Sequence, residues 1–330
     1  MKIAIVGAGL IVHDFFGFAQ RLDNYEFESM LSSGRNVEEK QAFCHKHNIK
    51  KLYTNYDELL CDDKVETVYV ALPNHLHYAY ARKALCAGKH VILEKPCTSN
   101  LAEFMKLYDL AKAKKRYLLE AISNQYQRNF KELRDVALLQ IGEVKIVEIN
   151  FSQYSSRYER FKAGEIVPVF DPAQSGGALM DLNVYNIHLA VGLFGKPDAV
   201  NYFANVEKGI DTSGILMMDY GSFKVVSIAA KDSRSIHGIT IQGNEGSIYI
   251  DGAINDVQPY RIELVGKGLK REASMDTDRS VPLKAPIHRM QEEFIEFERM
   301  IREDDYDANL NALEHSRIVM EVIEKAKQNI

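Results

Sequence analysis

Five short apolar runs, rich in β-branched residues and each separated from the next by a segment of helical periodicity, fill the first 122 residues. No other feature constrains the fold as much. The runs are KIAIVGAG (Lys2 to Gly9), FESMLSS (Phe27 to Ser33), TVYVALP (Thr67 to Pro73), HVILEKP (His90 to Pro96) and YLLEAI (Tyr117 to Ile122). Between them, Leu10 to Leu22, Asn36 to Asn48, the segment HLHYAYARKALCAG and Leu101 to Lys115 carry apolar residues at helical spacing. Asn36 is a predicted N-cap, and Gly88 stands where a helix end favours a left-handed residue. Short apolar strands joined by helices require a parallel sheet covered on both faces, so an α/β, doubly wound domain is expected over residues 1–122.

From residue 123 the rhythm changes. A helix is predicted over Asn129 to Leu139. Then EVKIVEINFSQYSSR (Glu143 to Arg157) alternates at period two, and AVNYFANV, GILMMDY, FKVVSIAAK, HGITIQGNEGSIYI and YRIELVG follow as further strands. Helices near Ile287 to Arg302 and Asn309 to Lys327 close the chain. Residues 123–330 therefore read as an α+β domain with a large, mostly antiparallel open sheet.

Composition excludes several function classes. The net charge is −5 with no basic block, so nucleic acid is not an expected partner. No apolar stretch reaches the length of a membrane span, and the N-terminal apolar run is too short and too quickly broken by glycine for a signal peptide. Cys44, Cys61, Cys86 and Cys97 match no zinc spacing and suggest a reduced, cytoplasmic protein. The histidines form no metal-binding helix pair, and no metal is expected.

The glycine turn Gly7-Ala8-Gly9 ends the first strand and opens a helix. Gly7 permits the tight turn. Gly9 lets backbone N–H groups, with those of Leu10 and Ile11, approach a pyrophosphate at a helix N-terminus. Val12 replaces the usual third small residue. At the tip of the second strand, Ser33 and Arg35 stand without an adjacent acid, while Glu26 and Glu28 lie too early to reach a ribose. This favours NADP(H), with NAD(H) as the alternative. Glu94, Lys95 and Pro96 after the fourth strand lie at the edge where ligands of such sheets bind. Pro73, Asn74 and His77 after the third are either cofactor contacts or a loop and helix start. Pro96 restricts Lys95 and invites a cis peptide.

In the second domain, Asp181, Tyr185 and His188 interrupt the apolar run SGGALMDLNVYNIHLAVGLFG (Ser175 to Gly195) at spacings of four and three. At about 100° per residue they share one face of a helix within roughly 60°. That row is either a set of hydrogen-bonded core residues or a binding face.

In order along the chain, Gly7-Ala8-Gly9, PNHLH (Pro73 to His77), AGKHVILEKP (Ala87 to Pro96) and GGALMDLNVY (Gly176 to Tyr185) resemble the glucose-fructose oxidoreductase / inositol dehydrogenase / MocA family. The resemblance spans essentially the whole chain and implies an N-terminal Rossmann domain. It also implies hydride transfer between a nicotinamide and a hydroxyl or carbonyl of a sugar, polyol or cyclic diol, and a homodimer or homotetramer built through the C-terminal sheet. By motif, Lys95, Asp181 and Tyr185 carry over as catalytic and substrate-binding residues, with His188 beside them. Glu120, at the tip of the fifth strand, resembles a family position near the nicotinamide; the alternative is a cap. The tyrosine at 185 resembles the dihydrodiol and pentose dehydrogenase branches. Asn183 and Ser175 depart from the family, which commonly has glycine at both.

The chemistry suits these types. Oxidising a carbinol requires its hydroxyl proton to leave. A free phenol titrates near 10, and a neighbouring ammonium and a cationic nicotinamide favour the phenolate. Tyr185 is thus an expected proton acceptor in oxidation and donor in reduction, with Lys95 lowering its pKa and binding the reacting oxygen; the two titrate as a pair, and either can carry the proton. Asp181 orients a substrate hydroxyl or Lys95. Arg157, Tyr158 and Arg160 are lesser substrate candidates. Two other functions use the same fold: a dinucleotide-binding sensor without turnover, and a redox-assisted, NAD-dependent glycosidase. A purely structural oligomer leaves the polar row unexplained.

Overall fold

The computed structural model of the protein describes residues 1–265, 270–273 and 287–328. The chain forms two compact units: Met1–Ala121 with Glu293–Arg317, and Ile122–Glu292 with Ile318–Ile330.

The first unit is built on six parallel strands: β1 (Lys2–Val6), β2 (Glu26–Leu31), β3 (Lys51–Tyr53), β4 (Thr67–Val70), β5 (His90–Glu94) and β6 (Leu118–Ala121). Their order is β3-β2-β1-β4-β5-β6. Helices α1 (Leu10–Phe16), α2 (Val37–Lys46), α3 (Tyr56–Leu60), α4 (His77–Cys86) and α5 (Leu101–Lys114) connect them. The order reverses at β1 and β4, and the carboxyl ends of these two strands frame the crevice where dinucleotides bind in such sheets. The sequence reading missed β3, a three-residue edge strand too short to show a period. Asn36 precedes α2 as expected but in a left-handed conformation, so its side chain makes no cap hydrogen bond and turns to Glu39 instead. The predicted helix Leu10 to Leu22 breaks after Phe16 and resumes as a 3-10 turn over Ala19–Arg21.

In the second unit, eight strands form one open sheet: β7 (Val144–Ser152), β8 (Ala199–Glu207), β9 (Ile210–Asp219), β10 (Lys224–Ala230), β11 (Gly238–Gly243), β12 (Gly246–Asp251), β13 (Tyr260–Leu264) and β14 (Lys270–Ala273). The order is β14-β13-β12-β11-β7-β10-β9-β8, with only β7 and β10 parallel. Period-two alternation buries Val147, Ile149 and Phe151 of β7 with Val225, Ser227 and Ala229 of β10 on one face. The other face leaves Ile146, Phe203, Ile215 and Met217 exposed. The helices α6 (Arg128–Glu132), α7 (Tyr158–Lys162) and α8 (Val184–Phe194) complete the unit, with α8 packed on β7 and β10. The single helix expected over Asn129 to Leu139 is α6 followed by a π turn, Leu133–Ala137.

Two helices end the chain, α9 (Gln291–Arg302) and α10 (Tyr306–Lys327). The sequence reading placed both in the second domain, but Glu293–Arg317 packs with the first unit. Aromatic contacts are the reason. Phe294 lies 4.6 Å from Phe15 and 5.2 Å from Tyr69, and Asn309 Oδ1 accepts the N–H of Leu118 at 3.1 Å on edge strand β6.

His90, at the start of β5, accepts the Tyr117 N–H through Nδ1 at 3.1 Å. That bond needs an unprotonated Nδ1. Burial, reinforced by the charge of Arg116, lowers the imidazole from 6.5 to about 4. The unfolded chain therefore binds the extra proton first, and stability is lost as pH falls from 6.5 towards about 4. The loss is at most about 3 kcal/mol. Replacing His90 with Gln, whose amide oxygen can take the same N–H, should flatten this part of a melting-temperature pH series. An unchanged slope would remove His90 as its cause.

Candidate active site

At the end of β1 the chain turns through Gly7 at φ +124°, and a Cβ there would lie 2.2 Å from the Ala71 carbonyl oxygen. Only glycine fits. Gly9 differs: its φ is −82°, and a Cβ would meet nothing within 4 Å. Gly9 is the N-cap residue of α1 and makes no side-chain cap. Leu10 beyond it is 76% exposed, Ile11 is half-buried, and Val12 is fully buried in the helix–sheet packing. The open side of this turn is backbone only, which suits a pyrophosphate. At the tip of β2, Ser33, Gly34 and Arg35 are exposed, while Glu28 is buried in an ion pair with Lys50 at 2.5 Å. Ser33, Gly34 and Arg35 include no carboxylate, and the next in sequence, Glu38 and Glu39, lie in the first turn of α2, where Glu39 accepts from Asn36 Nδ2. The residues present thus fit a dinucleotide, and their charge fits a 2′-phosphate. Pro73 is exposed and Asn74 half-buried at the end of β4.

The Glu94-Lys95-Pro96 turn follows β5, with its Lys95–Pro96 bond cis. Three neighbouring elements hold it. Tyr69 of β4 donates its hydroxyl to Glu94 Oε1 at 2.5 Å. His77 of α4 places Nδ1 2.9 Å from the Pro96 carbonyl and Nε2 2.8 Å from that of Leu72. Glu120 of β6 accepts the Cys97 N–H on Oε1 at 3.0 Å and the Ser316 hydroxyl on Oε2 at 2.6 Å. Burial keeps the His77 imidazole below its ordinary value, against the pull of its two carbonyl partners.

Glu94, His77, Pro96 and Glu120, expected along the cofactor's path, are all buried. The polar atoms of His77 and Glu120 are committed to protein groups, so the two residues act as braces. Lys95, half-buried between them, is the side chain that the braced turn presents.

In the second unit, the Gly-Gly segment enters a π turn over Leu179–Asn183 that continues into α8. Such turns recur at functional sites because they displace side chains from the regular helical row. Gly177 adopts φ +103°, and a Cβ there would lie 2.0 Å from Asp211 Oδ1. Asp211 fixes the start of the turn: its Oδ2 accepts the Leu179 N–H at 2.6 Å and the Tyr202 hydroxyl at 2.8 Å. Ser175 takes the left-handed conformation that glycine would adopt. Asn183, the other departure from glycine, is fully buried; its Oδ1 accepts from Ser227 and from Asn186, which pins the turn to β10.

The expected row of Asp181, Tyr185 and His188 descends into the unit. Asp181 keeps 32% of its side chain exposed. Tyr185 is 8% exposed, with its ring edge-on to Phe151 at 5.8 Å. His188 is fully buried on a helix whose residues Val184 to Val191 are all buried. His188, expected to hydrogen-bond substrate or to support the residues that do, lies deeper in the unit than Tyr185. The π turn over Leu179–Asn183 breaks the uniform 100° step between Asp181 and Tyr185. Of the lesser candidates, Tyr158 is buried and donates to Glu207, and Arg160 pairs with Glu165.

One residue was missed. Lys231 is 3% exposed and ion-pairs with Asp181 Oδ2. The signal was present: the alternation that buries Val225, Ser227 and Ala229 puts position 231 on the same face.

Comparison with known proteins settles the class. Residues 1–121 match the oxidoreductase family with an NAD-binding Rossmann fold, and residues 136–249 match the GFO/IDH/MocA C-terminal domain. The chain belongs to the GFO/IDH/MocA oxidoreductase family. This family member is an oxidoreductase with an NAD-binding Rossmann domain. It is 32% identical to a scyllo-inositol 2-dehydrogenase (NADP(+)) of Bacillus subtilis (strain 168), over 100% of this chain and 97% of that protein. It is 30% identical to the trans-1,2-dihydrobenzene-1,2-diol dehydrogenase of Macaca fuscata fuscata, covering 74% and 73% of the two chains. Its fold is shared with a 3-ketoreductase of Actinomadura kijaniata, solved with TDP-benzene and NADP. The TM-score is 0.81 at 17% identity, over 100% of this chain and 97% of that one.

Proposed function

We propose that this family member is an NADP(H)-preferring dehydrogenase or reductase of a ring hydroxyl on a neutral cyclic polyol or sugar. The observation that carries the cofactor choice is the β2 tip, where Ser33 and Arg35 are exposed with no acid adjacent in sequence. An arginine on a 2′-phosphate makes a charge-assisted contact that NAD lacks, enough for about a tenfold preference. The activities of its relatives, on an inositol and on a cyclic diol, support the substrate class. When bound, the nicotinamide supplies hydride acceptance or donation. The chain's own part is proton handling and orientation. Lys95 holds the reacting oxygen, Tyr185 takes the hydroxyl proton in oxidation and returns it in reduction, and Asp181 accepts a hydrogen bond from a neighbouring hydroxyl. Absorbance of the reduced nicotinamide, with NADP or NAD and a panel of inositols, aldoses, polyols and cyclic diols, tests this reading. NADP-linked turnover of a cyclic polyol is expected. Silence across the panel while NADPH binds would favour a sensor, and NAD that stays bound through purification would favour a redox-assisted glycosidase.

The exposed apolar face of the second sheet supports a homo-oligomer. Phe203 of β8, Ile215 of β9 and Ile228 of β10 stand opposite one another across three strands, with Met217 beside them. A contiguous apolar patch on a sheet face is a surface that a second copy can cover. Light scattering should find a dimer or tetramer, and Ile215→Lys with Phe203→Glu should return monomers. A monomeric wild type would discard the assignment. The four free cysteines suit a reducing cytoplasm. Among the described residues no helix is long and apolar enough to cross a membrane.

A further inference from the structure

A lysine buried to 3% exposure is costly, because its ammonium loses water and must regain the energy from partners. A methionine would fill the same space without that cost. Three carboxylates lie near Lys231 in space or in sequence, and two of them also accept hydrogen bonds from other groups. Asp211 accepts from Leu179 and Tyr202. Asp232 Oδ2 accepts the hydroxyls of Thr212 at 2.7 Å and Ser213 at 2.8 Å. The ion pair of Lys231 is with Asp181. The backbone of Lys231 is fixed on both sides, its N–H donating to Thr212 and its carbonyl accepting from Ser155, each at 2.8 Å. Its Nζ sits 5.1 Å from the Phe170 ring centroid, so the cation also has an aromatic face.

The pair is asymmetric. The cation is buried and rigidly placed; the anion, on the π turn, is a third exposed. We propose that Lys231 is a positioning residue: it anchors one oxygen of Asp181 so that the carboxylate stays charged and aimed as a hydrogen-bond acceptor for a substrate hydroxyl, while Lys231 itself does not touch substrate. This rests on the reading of Asp181 as substrate-facing. It explains why a buried strand face ends in a charge.

The test is a double-mutant cycle of Lys231→Met and Asp181→Asn in the full-length protein, assayed with the best substrate of the panel. Lys231→Met should lower kcat/KM by about 30- to 100-fold, the scale of a misplaced contact, with NADPH affinity within about twofold of wild type. Because Lys231 acts through Asp181, the double variant should lose no more than Asp181→Asn alone. Lys231→Ala should regain activity with ethylammonium, which fits the vacated channel, and not with the bulkier tetraethylammonium. If Lys231→Met does not fold, Lys231→Arg, which keeps the cation, and the double variant, which removes both charges, complete the comparison. Three results would overturn the proposal: a folded Lys231→Met with wild-type kcat/KM, losses that multiply in the double variant, or a lower melting temperature with no change in kcat/KM. Failure of the wild type to turn over any panel member is a separate outcome, which strikes the substrate reading and not the pair. In that case thermal melts of the same four proteins still report whether the two charges are coupled.

Discussion

Tyr185→Phe should lower kcat by about 10²- to 10⁴-fold, the range that general acid–base catalysis supplies, and leave NADPH affinity nearly unchanged. The substitution removes one hydroxyl and keeps the ring. That ring packs edge-on to Phe151 at 5.8 Å, and the Tyr185 backbone carbonyl still accepts from Asn124 Nδ2 at 3.0 Å, so the helix has no reason to move. The side chain is buried to 8% exposure. The measurements are steady-state kinetics in both directions and a fluorescence titration of NADPH. A primary deuterium isotope effect that rises in the variant would place the loss in the chemical step. Equal losses in turnover and cofactor affinity, or a large drop in melting temperature, would instead make Tyr185 a packing residue.

What the sequence disclosed follows from which forces are local. The first unit was legible because its buried parallel strands are short apolar runs alternating with helical segments, most of them punctuated by glycine or proline, and the runs at β1, β2, β4, β5 and β6 all appear where that pattern puts them. β3 is three residues long at an edge, and too little of it is buried to leave a pattern. Glu293–Arg317 was assigned to the wrong unit, because Phe294 and Asn309 find partners more than 150 residues away, whereas the end of α10 does lie in the second unit. No local period records such a meeting. The site was read with the same limits. Strand-end residues were placed correctly, but position does not tell a ligand contact from a brace. His77 and Glu120 stand at the proper edge, yet hydrogen bonds turn them inward to hold the peptide after Lys95. Lys231 was overlooked for the opposite reason: a lysine is presumed solvated, and only its place in the β10 alternation said otherwise.

The two glycines of the first turn should fail in different ways. Gly7→Ala puts a methyl 2.2 Å from the Ala71 carbonyl oxygen at φ +124°, where an L-residue is strained in any case. Backbone strain and overpacking each cost about 1–3 kcal/mol, so the first unit should lose about 2–6 kcal/mol and the crevice between β1 and β4 should open. Dinucleotide affinity falls as a consequence of lost structure. Gly9→Ala meets no atom within 4 Å and sits at φ −82°, which alanine adopts readily. Its melting temperature should match wild type. If the open side of this turn receives a pyrophosphate, however, the added methyl occupies the approach, and NADPH should bind at least about tenfold more weakly, a cost near 1.4 kcal/mol. Thermal melts with and without NADPH, together with a direct binding titration, separate the cases. A stable Gly9→Ala protein with wild-type NADPH affinity would mean that the phosphates do not pass over Gly9. The turn would then shape the fold without cradling the cofactor.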